Sequence, residues 1–180
     1  MMIKLPENFE LDRYGIHVRL VREEDAEFIV KLRTNEKLSQ YIHKTDSNIA
    51  KQLEWIRAYK QREVEGKEYY FIFSYQDKNV GVARIYDIED DRFTSGSWLA
   101  SSNMVGIGVL CDIISREIVF DLYPDSLNYF DIRKGNKSVI RYAKSYCPIL
   151  YKEDVESLYF YINRKNFEIY KHLYLRMVKS

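Results

Sequence analysis

Cysteine, proline and glycine are scarce in this 180-residue chain, at two, three and seven residues. The two cysteines, Cys111 inside an apolar run and Cys147 beside a proline, are far apart and form neither a CxxC pair nor a Cys/His cluster. No metal site is expected from them, and they read as reduced thiols. Long hydrophobic runs are missing too. The N-terminal "MMIKLPENFELDRYG" has no apolar signal core, and the longest apolar stretch, about Val105 to Leu110, is far too short to span a bilayer. A soluble, cytoplasmic protein with no membrane partner is the expectation. An excess of either charge is also lacking: 28 basic side chains face 27 acidic ones, so there is no basic stripe for nucleic acid, and any phosphate must be gripped locally.

The rest is ordinary globular material, 46% hydrophobic, without repeat, linker or low-complexity segment, and long enough to bury a core as one domain over residues 1–180. "IHVRL" alternates with period two at Ile16, Val18 and Leu20. The spacing of Ala26, Ile29, Val30 and Arg33 is then helical. A second helix is predicted from Asp46 or Ser47 as N-cap to Gly66 as stop. "EYYFIFSYQDKNVGVARIYDI" and "FTSGSWLA" supply three strands of a meander. Gly106 to Phe120 reads as a helix with Ile107, Leu110, Ile114 and Ile118 on one face. "SLNYFDIR" is a strand, "GNKSVIRYAKSY" a helix, "SLYFYIN" a strand, and residues 163–178 a closing helix. The order is β-α-α-β-β-β-loop-α-β-α-β. It predicts an α+β fold with a central, mostly antiparallel, twisted sheet flanked by helices. The 16 tyrosines fall in strands and on helix faces and read as packing residues.

Two of the seven glycines, Gly106 and Gly108, stand where a strand gives way to a helix, in "SSNMVGIGVLCDIIS". A loop that opens a helix exposes backbone N–H groups at the positive end of the helix dipole, which suits a phosphate. Glycine there lets the phosphate approach the backbone and allows positive φ. A plain tight turn is the other reading of the same pair.

Strand "GSWLA", loop "SSNMVGIG", helix, strand "YFDIRKGN" and helix "NKSVIRYAKSY" together resemble the acetyl-CoA-binding half of the GNAT superfamily of N-acetyltransferases. The opening "IHVRLVREEDAEFIVKLRTN" is similar to the first strand and helix of its branch of ribosomal-protein N-terminal and nucleotide-amino-sugar acetyltransferases. The resemblance runs over about residues 15 to 165. Asn103, Gly106 and Gly108 fall on the three marked positions of the family's pyrophosphate loop, with Asn103 departing from the usual Gln or Arg. The resemblance therefore implies acetyl-CoA as cosubstrate, cradled by backbone N–H groups from Met104 through Val105, Ile107 and Gly108 to Val109. Asn136 would touch the pantetheine arm, and backbone groups near Leu99 and Ser101 would pair with it at a splay in the sheet.

Acetyl transfer from a thioester needs a neutral amine, a donor for the oxyanion and an acid for the leaving thiolate. The family's oxyanion donor is a backbone N–H on the strand ending at Trp98 to Leu99. Its acid is commonly a Tyr four residues before a Gly-Phe pair; here Cys147-Pro148 stands in place of Gly-Phe and Ala143 in place of Tyr, so Tyr142 or Tyr146 takes the role. Tyr142 is preferred because it lies six residues beyond Asn136 and so on a similar face. His43 is a candidate base, against the alternative of an exposed histidine, and the acidic turn Glu89 to Asp91 reads as a solvated turn. Arg33 and Asn35 match an acceptor-side Arg-Asn pair in related sugar acetyltransferases, where an Arg can clamp a nucleotide phosphate. Three functions follow from the resemblance: acetylation of a small primary amine, foremost that of a nucleotide-linked amino sugar; acetylation of a protein N-terminus or lysine; or acyl-CoA binding without catalysis. Exposed aromatics in the C-terminal segment leave a homodimer open.

Overall fold

The computed structural model describes residues 3–101 and 106–178. Their strands form an eight-stranded sheet in the order β1-β2-β3-β4-β5-β6-β8-β7. Six of the seven strand pairings are antiparallel. The exception to antiparallel pairing is β5 (Arg92–Ala100) with β6 (Leu127–Arg133), which run parallel and pair only over Arg92–Thr94 and Leu127–Tyr129. Beyond Thr94 and Tyr129 the two strands diverge, and the sheet opens into a wedge.

The meander of β3 (Tyr69–Tyr75), β4 (Lys78–Tyr86) and β5 forms as its alternation predicts, and β2 (Ile16–Leu20) pairs with β3. Two edge strands are additions to the expected order. β1 (Glu10–Arg13) makes a hairpin with β2 through Tyr14 and Gly15, both at positive φ, and β7 (Ile149–Glu153) pairs with β8 (Ser157–Asn163).

Helices cover both faces. On one side α1 (Ala26–Arg33) and α3 (Ile49–Val64) bury Ile29, Leu32, Ile56 and Tyr59 against Tyr70, Ile72 and Val82 of the sheet. The α3 cap is Asn48, whose side chain accepts from Ala50 and Lys51, rather than Asp46 or Ser47. Between them a one-turn helix, α2 (Glu36–Ser39), is capped by Asn35. On the other side α4 (Ile107–Leu122) lies under the sheet with α5 (Lys137–Lys144) and α6 (Arg164–Val178). Twelve of the sixteen α4 residues are buried, including Asp112, Arg116 and Glu117. Charges at that depth persist only with partners. Glu117 receives Arg13 at 2.9 Å, Tyr14 at 2.7 Å and Lys171 at 2.6 Å, which ties the first hairpin and α6 to the helix.

Candidate active site

The wedge between β5 and β6 holds a cavity of about 400 Å³. Its walls are β5 from Ser95 to Ser101, β6 from Phe130 to Arg133, and α5 at Asn136 and Tyr142. Its floor is Gly108 and Arg116 of α4, and Lys37, Leu38, Gln40, Tyr41 and Ile42 close one side. Tyr41 packs so closely across Gly135 that a Cβ there would stand 2.9 Å from the ring. The segment after α2 is thereby fastened to the turn that opens α5.

Each glycine of the pair has its own reason. Gly106 takes φ +88° as the residue before α4, a conformation costly for any side chain with a Cβ. Gly108 is helical, and a Cβ on it would stand 3.0 Å from the Trp98 ring. It is the indole that requires this glycine, and it brings the first turn of α4 close under β5. The N–H groups of a helix's first turn have no partner within the helix, and Gly108 of that turn lines the wedge. Asn103, Met104 and Val105 lie outside the described residues; Ile107, Gly108 and Val109 form the first turn.

The β5 ladder corrects one expectation. Ser101 N–H donates to Val80 C=O at 2.7 Å, and Leu99 stands opposite Val82 two residues away in the same register. Alternation along an antiparallel ladder therefore turns the backbone groups of both Leu99 and Ser101 toward β4. The main-chain groups open to the wedge belong to the residue between them, Ala100. Nearer the apex, Gly96 pairs with Arg84 and Leu99 with Val82, so Ser97 and Trp98 together oppose Ala83 in a β-bulge, with Ser97 at φ +51°. The bulge lifts this part of the strand out of the ladder at the place where an oxyanion donor was expected.

Under the wedge lies a buried polar chain that sequence reasoning found only in part. The Tyr142 hydroxyl lies 3.1 Å from that of Tyr146 and donates to Asp112 at 2.8 Å; Arg116 donates to the other Asp112 oxygen at 3.0 Å. The Arg116 guanidinium also sits 4.7 Å from the centre of the Phe130 ring. Burial, then the neighbouring Asp112 charge, holds the Tyr142 phenol well above its ordinary pKa, and burial does the same to Tyr146. Asp112 and Arg116 are four apart on a helix, a spacing that reads as a surface ion pair; only the depth of α4 shows otherwise.

The remaining predicted residues are distributed. Asn136 caps α5, its side-chain oxygen accepting from Val139 N–H at 3.3 Å, so its amide N–H groups are what it can offer to the cavity. Asn35 lines neither this cavity nor its neighbours; its oxygen is taken by the N–H groups of Lys37 and Leu38, a capping task that replaces the substrate contact expected of it. Arg33 lines a separate cavity. His43 is exposed on a third hollow that meets the main cavity at Asp131 and Arg133, so it is not inside the site. Asp131, unmarked in sequence, is the carboxylate that lines both the main cavity and the third hollow. Among the described residues no group of His, Cys, Asp and Glu is arranged to hold a metal ion, and no helix is long and apolar enough to cross a membrane.

Comparison with known proteins bears on this geometry. The family model "Acetyltransferase (GNAT) domain" matches residues 16–145. The solved structure of apo FdhC, described as a nucleotide-linked sugar GNAT, is similar with a TM-score of 0.81 and 34% identity, over 95% of this chain and 99% of that one. Ribosomal-protein-S5-alanine acetyltransferase from Vibrio fischeri shares the fold with a TM-score of 0.73 at 10% identity, over 89% and 99% of the two chains. Spermidine N-acetyltransferase from Vibrio cholerae, in complex with CoA and spermine, does so with a TM-score of 0.71 at 13% identity, over 87% and 99%. No curated protein sequence matches the chain.

Proposed function

The chain belongs to the GNAT acetyltransferase family and is an acetyl-CoA-dependent acyltransferase, and from that premise we propose that its acceptor is the primary amine of a nucleotide-linked amino sugar. The observation that carries the reading is the 34% identity, sustained over nearly the whole of both chains, to a nucleotide-linked sugar GNAT. The similarity to S5-alanine and spermidine acetyltransferases, at 10% and 13% identity, supports the fold alone.

The wedge suits the cosubstrate on its own terms. Ala100 offers an open N–H and C=O to a pantetheine amide as a neighbouring strand would, Asn136 adds amide donors, and the first turn of α4 beside Gly106 and Gly108 offers N–H groups to a pyrophosphate. Bound there, acetyl-CoA supplies an activated acetyl thioester. The bulge at Ser97–Trp98 frees main-chain N–H groups from the ladder, and these are the candidate donors for the oxyanion. Tyr142 is the proposed proton donor: it stays protonated across physiological pH, its one hydroxyl proton would turn from Asp112 to the leaving sulfur, and the proton that the amine gives up would return to it through water. Asp112, held by Arg116, fixes the hydroxyl. Asp131, which lines the cavity, is the candidate to accept a proton from the amine, directly or through water. The exposed Ile149, Leu150 and Tyr151 make an apolar edge of strand β7, the candidate surface for a homodimer.

A coupled assay of CoA thiol release tests this reading against nucleotide-linked amino sugars, free amino sugars, polyamines and N-terminal peptides. Turnover with the nucleotide-linked sugars at least a hundredfold above the rest is expected. Faster turnover of peptides or polyamines would overturn it.

A further inference from the structure

Two cations are buried among the described residues, Lys171 and Arg116. Lys171 is held between two carboxylates, Glu117 and Glu168, each at 2.6 Å. Arg116 is not. Only its Nε–H is engaged, donating to Asp112 at 3.0 Å, while the second Asp112 oxygen takes the Tyr142 hydroxyl. A guanidinium carries five N–H donors, so the four at its far end have no protein acceptor among the described residues. The side chain is only 5% exposed.

That free end faces the wedge. Among the described residues the one fully enclosed side-chain polar atom without a hydrogen bond is the Tyr70 hydroxyl, in a different cavity, so the unpaired Arg116 nitrogens keep contact with open space. The open space that Arg116 borders is the main cavity. The Phe130 ring, 4.7 Å from the guanidinium, packs against it, and the Asp112 bond fixes its inner edge. A cation held this firmly, and this far from bulk water, acts on a charge at its open end more strongly than a surface arginine does.

Its place along the wedge says which charge. Eight residues separate Gly108, in the first turn of α4, from Arg116, about 12 Å along the helix axis. With a pyrophosphate at that turn, the thioester end of the pantetheine arm belongs at the far end of the wedge, where Arg116 and Tyr142 share Asp112. The oxyanion already has its candidate donors in the bulge at Ser97–Trp98. The other negative charge that acyl transfer creates is that of the departing sulfur.

We propose that Arg116 is a catalytic residue, the free end of its guanidinium taking the charge of the leaving CoA thiolate. Once the amine nitrogen has bonded to the carbonyl carbon and given its proton to Asp131 or water, the C–S bond breaks and its electron pair goes to sulfur. The Arg116 N–H groups donate to that sulfur and keep their protons; the proton that neutralises it then comes from Tyr142. This role rests on the acyl-CoA chemistry of the family and not on the identity of the acceptor.

Titration of the full-length protein with CoA and with desulfo-CoA, which lacks the sulfur, from about pH 6 to pH 9 tests the role with no acceptor present. The titratable and charged groups at this end of the wedge are Asp112 and Arg116 of α4 and Tyr142 of α5 with Tyr146 behind it; Lys37, Asp131 and Arg133 line other walls. A cation at the sulfur lowers its thiol pKa below the ordinary value of about 8.5. The ratio of CoA to desulfo-CoA affinity should therefore climb with pH in wild type, by roughly tenfold or more. Arg116→Gln should hold the ratio flat. So should Asp112→Leu combined with Arg116→Met, which keeps the role falsifiable where the single variant fails to fold. Arg116→Lys restores the charge and should recover part of the rise. In turnover, Arg116→Gln should lower kcat by about 10²-fold with little change in KM for acetyl-CoA. A flat ratio in wild type, or the same rise in wild type and both uncharged variants, overturns the role and leaves these N–H groups to cavity water, with the acyl-CoA reading intact. If neither ligand binds, the role and the acyl-CoA reading fall together.

Discussion

The Tyr142 hydroxyl donates to Asp112 across 2.8 Å, joining α5 to a carboxylate that is 1% exposed and otherwise held by Arg116. The bond lies at the floor of the wedge and serves stability and chemistry together. Tyr142→Phe should lower kcat by about 10²-fold, the lower end of what general acid catalysis contributes, with little change in KM for acetyl-CoA. It should also cost about 1–3 kcal/mol in urea unfolding, because a buried carboxylate oxygen loses its donor. An unchanged kcat would hand the proton to Tyr146 or to water.

Arg116→Met tests the same network from its other end. Removing one partner of a buried ion pair leaves the second uncompensated, and about 3–5 kcal/mol of stability should be lost. Asp112→Leu combined with Arg116→Met should recover much of it, since neither charge then remains. A double variant as unstable as the single one would show that the pair is not the unit.

The glycines separate by mechanism. Gly106→Val forces a β-branched residue to φ +88° and should lower the melting temperature as well as acetyl-CoA affinity. Gly108→Val instead meets the Trp98 ring, so its effect should appear as a changed tryptophan fluorescence together with weakened cofactor binding. Unchanged affinity in both variants would return the pair to a plain turn.

Alkaline pH should unfold the protein steeply. Tyr59, Tyr69, Tyr70, Tyr86, Tyr142 and Tyr146 all have phenols raised above the ordinary value, with burial the leading cause in each. A phenol is neutral when protonated, so the folded state keeps protons that the unfolded chain gives up. The stability they contribute is fully present below the unfolded value of about 10 and is lost as pH rises from there toward the folded values. Urea midpoints measured from pH 8 to 11 should be flat to about 10 and then fall; a midpoint that holds beyond 10.5 would mean these rings ionise in the folded protein.

Periodicity made most of the architecture legible. Ile16, Val18 and Leu20 gave a strand because alternate positions face one core, and Ile107, Leu110, Ile114 and Ile118 gave α4 for the corresponding helical reason. β7 escaped because every residue in it is exposed, so no alternation marks it. β1 escaped because its pairing depends on a tight turn at Tyr14 and Gly15. The site was legible where backbone conformation demands a residue type, as at Gly106. It was illegible where depth decides, as for Arg116 and Asp112, and where the ladder's phase decides, as for Ala100 in place of Leu99 and Ser101. Tyr70 looked like any core tyrosine, because an unmet hydrogen bond leaves no trace in sequence.

The phase of β5 reaches beyond a one-residue correction. If the donor substrate is held by main-chain amides at Ala100, a saturation scan of β5 side chains will find positions 98 to 101 tolerant wherever packing permits, and will miss the contact that matters. Ala100→Pro, which deletes one N–H and little else from the wedge, should abolish cofactor affinity where Ala100→Ser leaves it intact. Selectivity for the donor would then be a property of the strand's shape, free to persist while the letters that spell the strand drift.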